Sequence, residues 1–491
     1  MLAQPYFPMS DVWDDQVRSN ITAMKAKSLY TASTGLCADS VESVPGAAGL
    51  FALATYQVDK EEIENALNVD EDGGYAAGGG TSSSSSTSPA YTRRGTCTLY
   101  SVTNPGSDST SQGVDVETLQ KIDTPAILDM KWSSTSTRGK LLGIADAKSN
   151  VSIHRLIESR RLEPVRSLLF NNRQALCLSL DWSDRTASRK GRERKLPDDT
   201  SLVVSQSDGS IAYLPSLERA LSSTTSSELE ALQTSISDVK LDESRRSGDE
   251  SGPEEKEDWE QTSEDGRIAD LEAQQARLNA AYDAKPAGLE TWGAHDYEAW
   301  IVGFDCWSPC SSIWTGGDDL CLKGWDLRTP VSRCGRSPTF TTTKPFDGGV
   351  TTLQSHHLRQ HLWAVGSYDS KLRLFDARAP ARPLSETDTG GGIWRVKWHP
   401  TDPATLLVGC MHDGFKILRL PALTALQPED GGTKELRGQE MDLVTRFDQH
   451  HSLAYGCDWD RGTYDTVDQD NARLVYSCSF YDASMHVWRS Q

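Results

Sequence analysis

The stretch that most constrains the fold is residues 316–328, GGDDLCLKGWDLR, a short polar turn followed by an alternating apolar run that ends in Trp-Asp. Within it Asp319 precedes Trp325 by six residues, and His295 lies upstream after Gly293 and Ala294. A His near the start and a Trp-Asp pair about thirty residues later are typical of one blade of a WD-repeat β-propeller. The aspartate of such a turn ties it to the histidine of the preceding loop and to a strand hydroxyl.

The same spacing recurs along the chain. A polar or charged side chain precedes a large apolar residue by six positions at Asn150–Leu156, Asp208–Leu214, Asp369–Phe375, His412–Leu418 and Asp482–Trp488. The predicted blades occupy residues 38–102, 126–156, 175–214, 299–328, 346–378, 390–420 and 441–489. The sequence therefore predicts an all-β protein, a seven-bladed WD-repeat propeller over 28–491.

The two ends of the chain predict how the propeller closes. No fourth strand follows Trp488 in the last blade, whereas residues 28–33, SLYTAS, form a spare strand ahead of the first blade. A propeller whose N-terminal strand completes its C-terminal blade has no open edge there. We expect that closure, with residues 1–27 as a loose N-terminal segment. An eighth, degenerate blade within 421–450 is the less favoured alternative.

Three inserts interrupt the repeats and are expected to be disordered loops. Residues 59–92 contain GGGTSSSSSTS and are too poor in apolar residues to pack. Residues 184–200 contain the basic string SRKGRERK without interleaved aromatic residues, which favours a solvated loop over a nucleic-acid patch. Residues 216–287 are acidic, and within them 268–282 could form a short amphipathic helix.

Charge and cysteine usage exclude several classes of function. The net charge of −20 argues against nucleic-acid or anionic-membrane binding. No run of eighteen apolar residues occurs, and the acidic N-terminus does not resemble a signal peptide. Cys306 and Cys310 have no second close pair, so we expect no metal and predict buried thiols in a reducing cytoplasm.

The propeller pattern places a set of polar and aromatic residues at one mouth of the central channel, where ligands bind. They are His295, Trp394, His412, Asp413, His450, His451, Tyr481 and Asp482. His412 takes the place of the turn aspartate, and it is either a plain turn residue or a general base. His450 or His451 is the structural histidine of its repeat, and Asp319, Asp369 and Asp482 are expected to be turn ties. No G-x-S-x-G, H-E-x-x-H or Walker A string occurs, so these residues alone indicate a propeller that binds a ligand.

Several strings are more specific than generic repeats: ADSVE (38–42), TYQV (55–58), GGGIWRVKWHP (390–400), CMHDGF (410–415), SLAYGCDW (452–459) and CSFYDASMHVW (478–488). They resemble the diphthine methyl ester hydrolase family, also called the diphthine methyltransferase family, which are WD-repeat proteins of the eukaryotic diphthamide pathway. The resemblance covers nearly all predicted strands. It implies hydrolysis of a methyl ester on the over-methylated diphthine side chain of elongation factor 2, which yields diphthine and methanol, with no cofactor.

The resemblance also guides expectations for individual residues. The substrate carries a trimethylammonium group, which Trp394 and Tyr481 could hold by cation–π contact, with His295 and Asp482 beside them. A water activated by His412, oriented by Asp413, would attack the ester, with backbone N–H groups around 390–392 steadying the oxyanion. His451 is the second candidate base, but the family pattern often has Asp there. A covalent route through Cys410 or Ser479 competes.

A non-catalytic adaptor that recruits elongation factor 2 or the amidation machinery is the alternative function. Partners from the diphthamide pathway, and neither nucleic acid nor membrane, are expected in either case.

Overall fold

The chain was described in a computed structural model that covers residues 23–60, 91–103, 113–133, 139–170, 174–185, 199–222, 286–309, 311–425, 433–462 and 473–490. Its strands form seven sheets, one for each blade of a β-propeller, so the predicted fold class is confirmed. Most of the three predicted inserts, including the possible helix over 268–282, lies outside the described residues.

The first four blades take their strands in chain order from the channel outward. Blade one contains β3 (Ala38–Ser43), β4 (Leu50–Thr55), β5 (Gln57–Lys60), β6 (Tyr91–Thr103) and β7 (Asp115–Pro125). Blade two contains β8 (Ile127–Trp132), β9 (Leu141–Asp146), β10 (Asn150–Leu156) and β11 (Leu162–Leu169). Blade three contains β12 (Cys177–Trp182), β13 (Leu202–Gln206), β14 (Ser210–Leu214) and β15 (Glu290–Gly293), with helix α1 (Leu217–Ser222) after β14. Blade four contains β16 (Ile301–Phe304), β17 (Ser312–Gly316), β18 (Leu322–Asp326) and β19 (Phe340–Thr342).

Blade five follows the same order, whereas an N-terminal strand is outermost in blades six and seven. Blade five contains β20 (Val350–Ser355), β21 (Leu362–Ser367), β22 (Lys371–Asp376) and β23 (Ser385–Asp388). Blade six contains β24 (Ile393–Trp398), β25 (Thr405–Cys410), β26 (Phe415–Arg419), β27 (Asp442–Phe447) and β1 (Met24–Lys25). Blade seven contains β28 (Ala454–Trp459), β29 (Leu474–Ser479), β30 (Ser484–Arg489) and β2 (Ser28–Ser33). Helix α2 (Ala422–Ala425) and a 3-10 turn (Thr433–Leu436) lie between β26 and β27.

The N-terminal strand closes the ring, as the sequence predicts. β2 pairs antiparallel with β30, from Ser28 opposite Trp488 to Ser33 opposite Ser484. A side-chain hydrogen bond of 2.9 Å between Thr31 Oγ1 and His486 Nδ1 joins the two strands. The strand β1 lies within the segment expected to be loose, and it pairs in parallel with β27, so residues just before β2 also take part in the sheet structure.

Two outer strands differ from the sequence-based blade limits. β11 completes blade two beyond residue 156, and its Pro164 is tolerated because β11 is an edge strand. β27, predicted to begin blade seven, instead pairs with β26 as the fourth strand of blade six. Residues 421–450 therefore hold two short helical segments and this strand, and their described part contains no eighth blade.

The core is a ring of apolar layers, each packed between two neighbouring blades. The largest fully buried side chains include Trp182, Trp398 and Trp459, each at the end of an inner strand. The indole N–H of each donates to a backbone carbonyl of the preceding blade's inner strand, for example Trp182 to Lys131 at 2.9 Å and Trp459 to Lys397 at 2.9 Å. A buried Trp thus contributes apolar area while its one polar atom stays satisfied.

The inner strands share an irregularity that bears on the site. Near the start of the first strand, its pairing with the second strand skips one residue in five blades and two residues in blade seven, which defines a β-bulge. The bulge positions are Asp39, Leu128, Leu178, Thr351, Trp394 and, in blade seven, Tyr455–Gly456. Bulges redirect a side chain out of the regular pleat and are enriched beside functional sites. These residues all lie near one end of the channel, on the face that carries the turns between second and third strands, called the upper face below.

Candidate functional site at the upper mouth of the channel

His295 belongs to the scaffold of blade four. Its Nδ1 is 2.9 Å from Asp319 Oδ1, and its Nε2 is 2.7 Å from Thr315 Oγ1. The same hydroxyl accepts the indole N–H of Trp325 at 2.9 Å. Both ring nitrogens of His295 are therefore engaged, as expected for the structural tie of a WD repeat, and its predicted role in substrate binding receives no support from these contacts.

Blade seven repeats this arrangement with His450. Its Nε2 is 2.9 Å from Ser477 Oγ, which accepts the indole N–H of Trp488 at 3.1 Å. Burial lowers the pKa of His450 to about 3, so the ring is neutral. Asp482 accepts the backbone N–H of His451 at 2.8 Å, and His451 itself is exposed. Asp482 thus acts as a turn tie.

The turn of blade six differs from the others at His412. The strand register places His412 at the position of Asp319, as predicted, but the side chain is exposed and has no hydrogen-bond partner among the described residues. The next residue, Asp413, forms ion pairs with Lys416 and Arg446. Asp413 is therefore held by two cations and not by His412, which weakens its predicted role as an orienting group.

The predicted nucleophile and oxyanion groups are constrained by their surroundings. Cys410 is fully buried at the end of β25, and burial raises the pKa of its thiol to about 11, although Lys416 lowers it. A thiol in this state is a poor nucleophile at neutral pH. The Gly390 N–H donates to Asp388 Oδ1 at 2.8 Å, so this donor of the 390–392 loop is already used.

Aromatic side chains from blades four to seven converge at the upper mouth. We call these the mouth cluster: Trp300, Tyr368, Trp394, Tyr455, Phe480 and Tyr481. The ring of Trp394 is central, with centroids 5.7 Å from Trp300, 6.2 Å from Tyr368 and 4.9 Å from Tyr455. Tyr481, 65% exposed, lies at the outer end of the cluster, 5.0 Å from Phe480. Trp394 and Tyr481, predicted together from the sequence, thus belong to one surface but are linked through other rings.

The residue that sequence reasoning missed is Asp39, the bulged residue of β3. It is 5% exposed, and its Oδ2 atom is buried with no hydrogen-bond partner among the described residues. Its nearest cation is Arg395, whose Nη2 is 4.0 Å from Asp39 Oδ2. Burial raises the pKa of Asp39 to about 7 against the lowering effect of Arg395. The sequence feature that could have identified Asp39 is the string ADSVE, which places two acidic residues on an inner strand, where charged side chains are unusual.

Further charged side chains line the channel, and they are paired. Asp129 accepts a 2.8 Å hydrogen bond from Lys131 Nζ and a 2.9 Å hydrogen bond from Ser179 Oγ. Burial acts to raise the pKa of Asp129, but Lys131 and Arg395 outweigh it and hold the pKa at about 2. Glu42 similarly pairs with Lys397. Asp129 is therefore ionised, and Asp129 and Glu42 each pair closely with a lysine, whereas the only cation within 4.0 Å of Asp39 among the described residues is Arg395.

Fold and site together define the class of protein: a WD-repeat propeller whose upper mouth combines an aromatic cluster with a buried carboxyl group. Sequence comparison then identifies the family. A protein of Homo sapiens named diphthine methyltransferase is 32% identical over 437 residues, which is 88% of this chain and 74% of that protein. Its Mus musculus counterpart is 30% identical over 88% of this chain and 69% of that protein, and a Dictyostelium discoideum homolog is 37% identical over 40% and 51%. The chain belongs to the diphthine methyltransferase family.

Two further comparisons do not extend the family assignment. No family model matches the chain. A chain in a crystal structure of a mitotic checkpoint complex superposes with a TM-score of 0.50 at 12% identity, covering 100% of this chain and 99% of that one, which supports the fold alone. Within the described residues no helix is long and apolar enough to cross a membrane.

Proposed function

We propose that this chain hydrolyses the methyl ester of methylated diphthine on elongation factor 2, giving diphthine and methanol in diphthamide biosynthesis. Family membership supports a role in that pathway. The observation that carries the proposal further is the mouth cluster, because the substrate side chain bears a trimethylammonium group. Quaternary ammonium ions bind over the faces of Trp and Tyr rings, each contributing about 0.5–2 kcal/mol.

Three rings of the mouth cluster are only half-buried, so part of each ring is accessible at the mouth. Trp300, Tyr368 and Trp394 lie within 6.3 Å of one another, centroid to centroid, and their planes are tilted, not stacked flat. Because the rings pack against one another, a cation would bind on their accessible faces and not between them. The net charge of −20 favours the approach of a cationic group over long range.

For the reaction itself we favour attack by water over a covalent intermediate. The raised pKa and burial of Cys410 support this choice, because the thiolate needed for covalent catalysis is disfavoured. His412 and, less favoured, His451 remain the bases suggested by the sequence, and both are exposed on the upper face.

The partners follow from the substrate. We propose elongation factor 2 carrying methylated diphthine as the protein substrate, other diphthamide-pathway proteins as further partners, and the cytoplasm as the location. No cofactor is needed for ester hydrolysis, since water and a base suffice.

The deciding experiment is incubation of the purified protein with elongation factor 2 that carries methyl-esterified diphthine. Hydrolysis is expected to remove one methylene-equivalent of mass from the diphthine peptide and to release methanol. A gain of the same mass in the presence of a methyl donor would instead match the transferase named in the relatives. Unchanged mass with binding intact would support the adaptor function.

A further inference from the structure

We propose that Asp39 is the general base of this hydrolysis and that it takes the proton from the attacking water. The inference rests on the proposed function and deepens it by naming a catalytic residue that neither the sequence pattern nor the family resemblance singled out.

The position of Asp39 in the fold is the first argument. Among the bulge residues of the inner strands, Asp39 carries the single carboxyl group, and Trp394 and Tyr455 of the mouth cluster occupy equivalent positions. The backbone of β3 lies close to blade seven, since a Cβ on Gly456 would be 2.9 Å from the Asp39 carbonyl oxygen. One ring of bulges therefore brings an acid and two aromatic side chains to the same end of the channel.

Arg395 links the two parts of the site. Its guanidinium carbon is 5.7 Å from the centroid of the Trp394 ring, and its Nη2 is 4.0 Å from Asp39 Oδ2. A substrate side chain whose trimethylammonium group contacts Trp394 would thus place its remaining atoms near Asp39. The ester and the ammonium group belong to one side chain, so both can be engaged at once.

The state of the carboxyl group is the second argument. A buried carboxyl is normally hydrogen-bonded or ion-paired at short range, as Asp129 is. Asp39 Oδ2 is buried without a hydrogen bond and has only Arg395 near it, at 4.0 Å. The side chain as a whole keeps 8% exposure, so a water molecule in the channel can reach the carboxyl group from its other side. An unsatisfied buried acid is costly and persists where function requires it. Its pKa of about 7 is the value at which a base is both available and strong enough at neutral pH.

The Asp39 carboxylate removes one proton from water as the water oxygen bonds to the ester carbonyl carbon, and the carbonyl π pair moves onto its oxygen. When the tetrahedral intermediate collapses, the bond between the carbonyl carbon and the methoxy oxygen breaks, and Asp39 returns its proton to the methoxide to give methanol. The product acid then loses its own proton to solvent. Ester and water thus become carboxylate, methanol and one proton.

The test compares Asp39→Asn with His412→Ala and the wild type in the mass assay, using full-length chains. Asp39→Asn preserves size but cannot accept the proton, so kcat should fall by about 10²–10⁴. The wild-type rate should rise as the pH increases through about 7, and the residual rate of Asp39→Asn should not show this rise. His412→Ala is the competing variant, and it should lose less turnover than Asp39→Asn. Asp326→Asn is the charge-matched control. Asp326 lies opposite Ser312 in the sheet, at the end of blade four away from the turn between its second and third strands.

Each outcome either supports or overturns the assignment of Asp39 as the general base. Absence of wild-type turnover overturns both the proposed function and this inference. Wild-type turnover with an unchanged Asp39→Asn variant overturns the inference alone, and loss of activity in His412→Ala would then return the role to His412. If Asp39→Asn does not fold, the wild-type pH profile still decides, since a profile flat between about pH 6 and 8 contradicts a base of this kind.

Discussion

Asp39 Oδ2 lies 4.0 Å from Arg395 Nη2, too far for a hydrogen bond but close enough for the positive charge to act on the carboxyl group. Arg395 also lies 3.4 Å from Asp129 Oδ1, so its charge is shared between two acids. The consequence is a carboxyl group whose pKa burial raises and Arg395 lowers, leaving it at about 7. We therefore expect Arg395 to act as a positioning residue that lowers the pH at which Asp39 ionises.

Replacing Arg395 should therefore move the pH dependence of the reaction. In Arg395→Gln the charge that favours ionised Asp39 is lost, so the pKa of Asp39 should rise and the ascending limb of kcat/KM should shift to higher pH. Arg395→Lys keeps the charge and should shift less. An Arg395→Gln variant that folds normally and keeps the wild-type profile would contradict the coupling.

Trp394 is expected to dominate recognition of the trimethylammonium group because it contacts three other rings of the mouth cluster. Trp394→Ala should lower kcat/KM about 5–30-fold, corresponding to about 1–2 kcal/mol, and Trp394→Phe should lose less. Tetramethylammonium should compete with substrate for the wild type and not for Trp394→Ala.

Tyr481→Ala should weaken the reaction less than Trp394→Ala does. The Tyr481 ring is exposed and should contribute only about 0.5–1 kcal/mol to binding of the trimethylammonium group. Tyr297, 63% exposed and outside the cluster, is the matched aromatic control. Equal losses in Tyr297→Ala and Trp394→Ala would argue against a specific cation site.

His295→Ala should reduce stability rather than substrate affinity. It removes the hydrogen bonds to Asp319 and Thr315 and leaves the buried hydroxyl short of a partner, which should lower the free energy of unfolding by about 1–3 kcal/mol. Urea unfolding would measure this change, and KM below the unfolding range should stay near the wild-type value. A raised KM without loss of stability would restore the substrate-binding role expected from the sequence.

The recurring blade pattern, measured by the six-residue spacing from Asp319 to Trp325, predicted the number of blades, and the spare strand at 28–33 predicted the closure of the ring. It also placed His412 correctly in its turn. It could not predict that Lys416 and Arg446 would engage Asp413, since Arg446 comes from a strand far along the chain. Nor could it locate Asp39, because a β-bulge is a property of strand pairing and leaves no periodic mark in the sequence.

The buried histidine His154 should make the protein sensitive to acid. Burial lowers its pKa from 6.5 to about 4, so the folded state holds the ring neutral while the unfolded chain binds a proton below about pH 6.5. Stability from this residue is full above pH 6.5 and is lost as pH falls towards 4, at up to about 1.4 kcal/mol per pH unit. In His154→Gln the slope of unfolding free energy against pH should be smaller by that amount. An identical slope in the two proteins would exclude His154 as a source of acid sensitivity.

Closure of the ring through β2 makes a prediction about Ala32, which lies opposite Met485 of β30. The Thr34 N–H donates to the Ala483 carbonyl at 2.7 Å, and the alternation of an antiparallel ladder then directs the Ala32 N–H towards β30. Ala32→Pro removes that donor, whereas Ala32→Val keeps it and favours a strand. Ala32→Pro should lose about 1–3 kcal/mol relative to Ala32→Val and should expose β30 as an open edge that promotes self-association. Thermal unfolding and size-exclusion chromatography of the two variants would measure both effects, and indistinguishable behaviour would mean that β2 is not needed to hold the last blade.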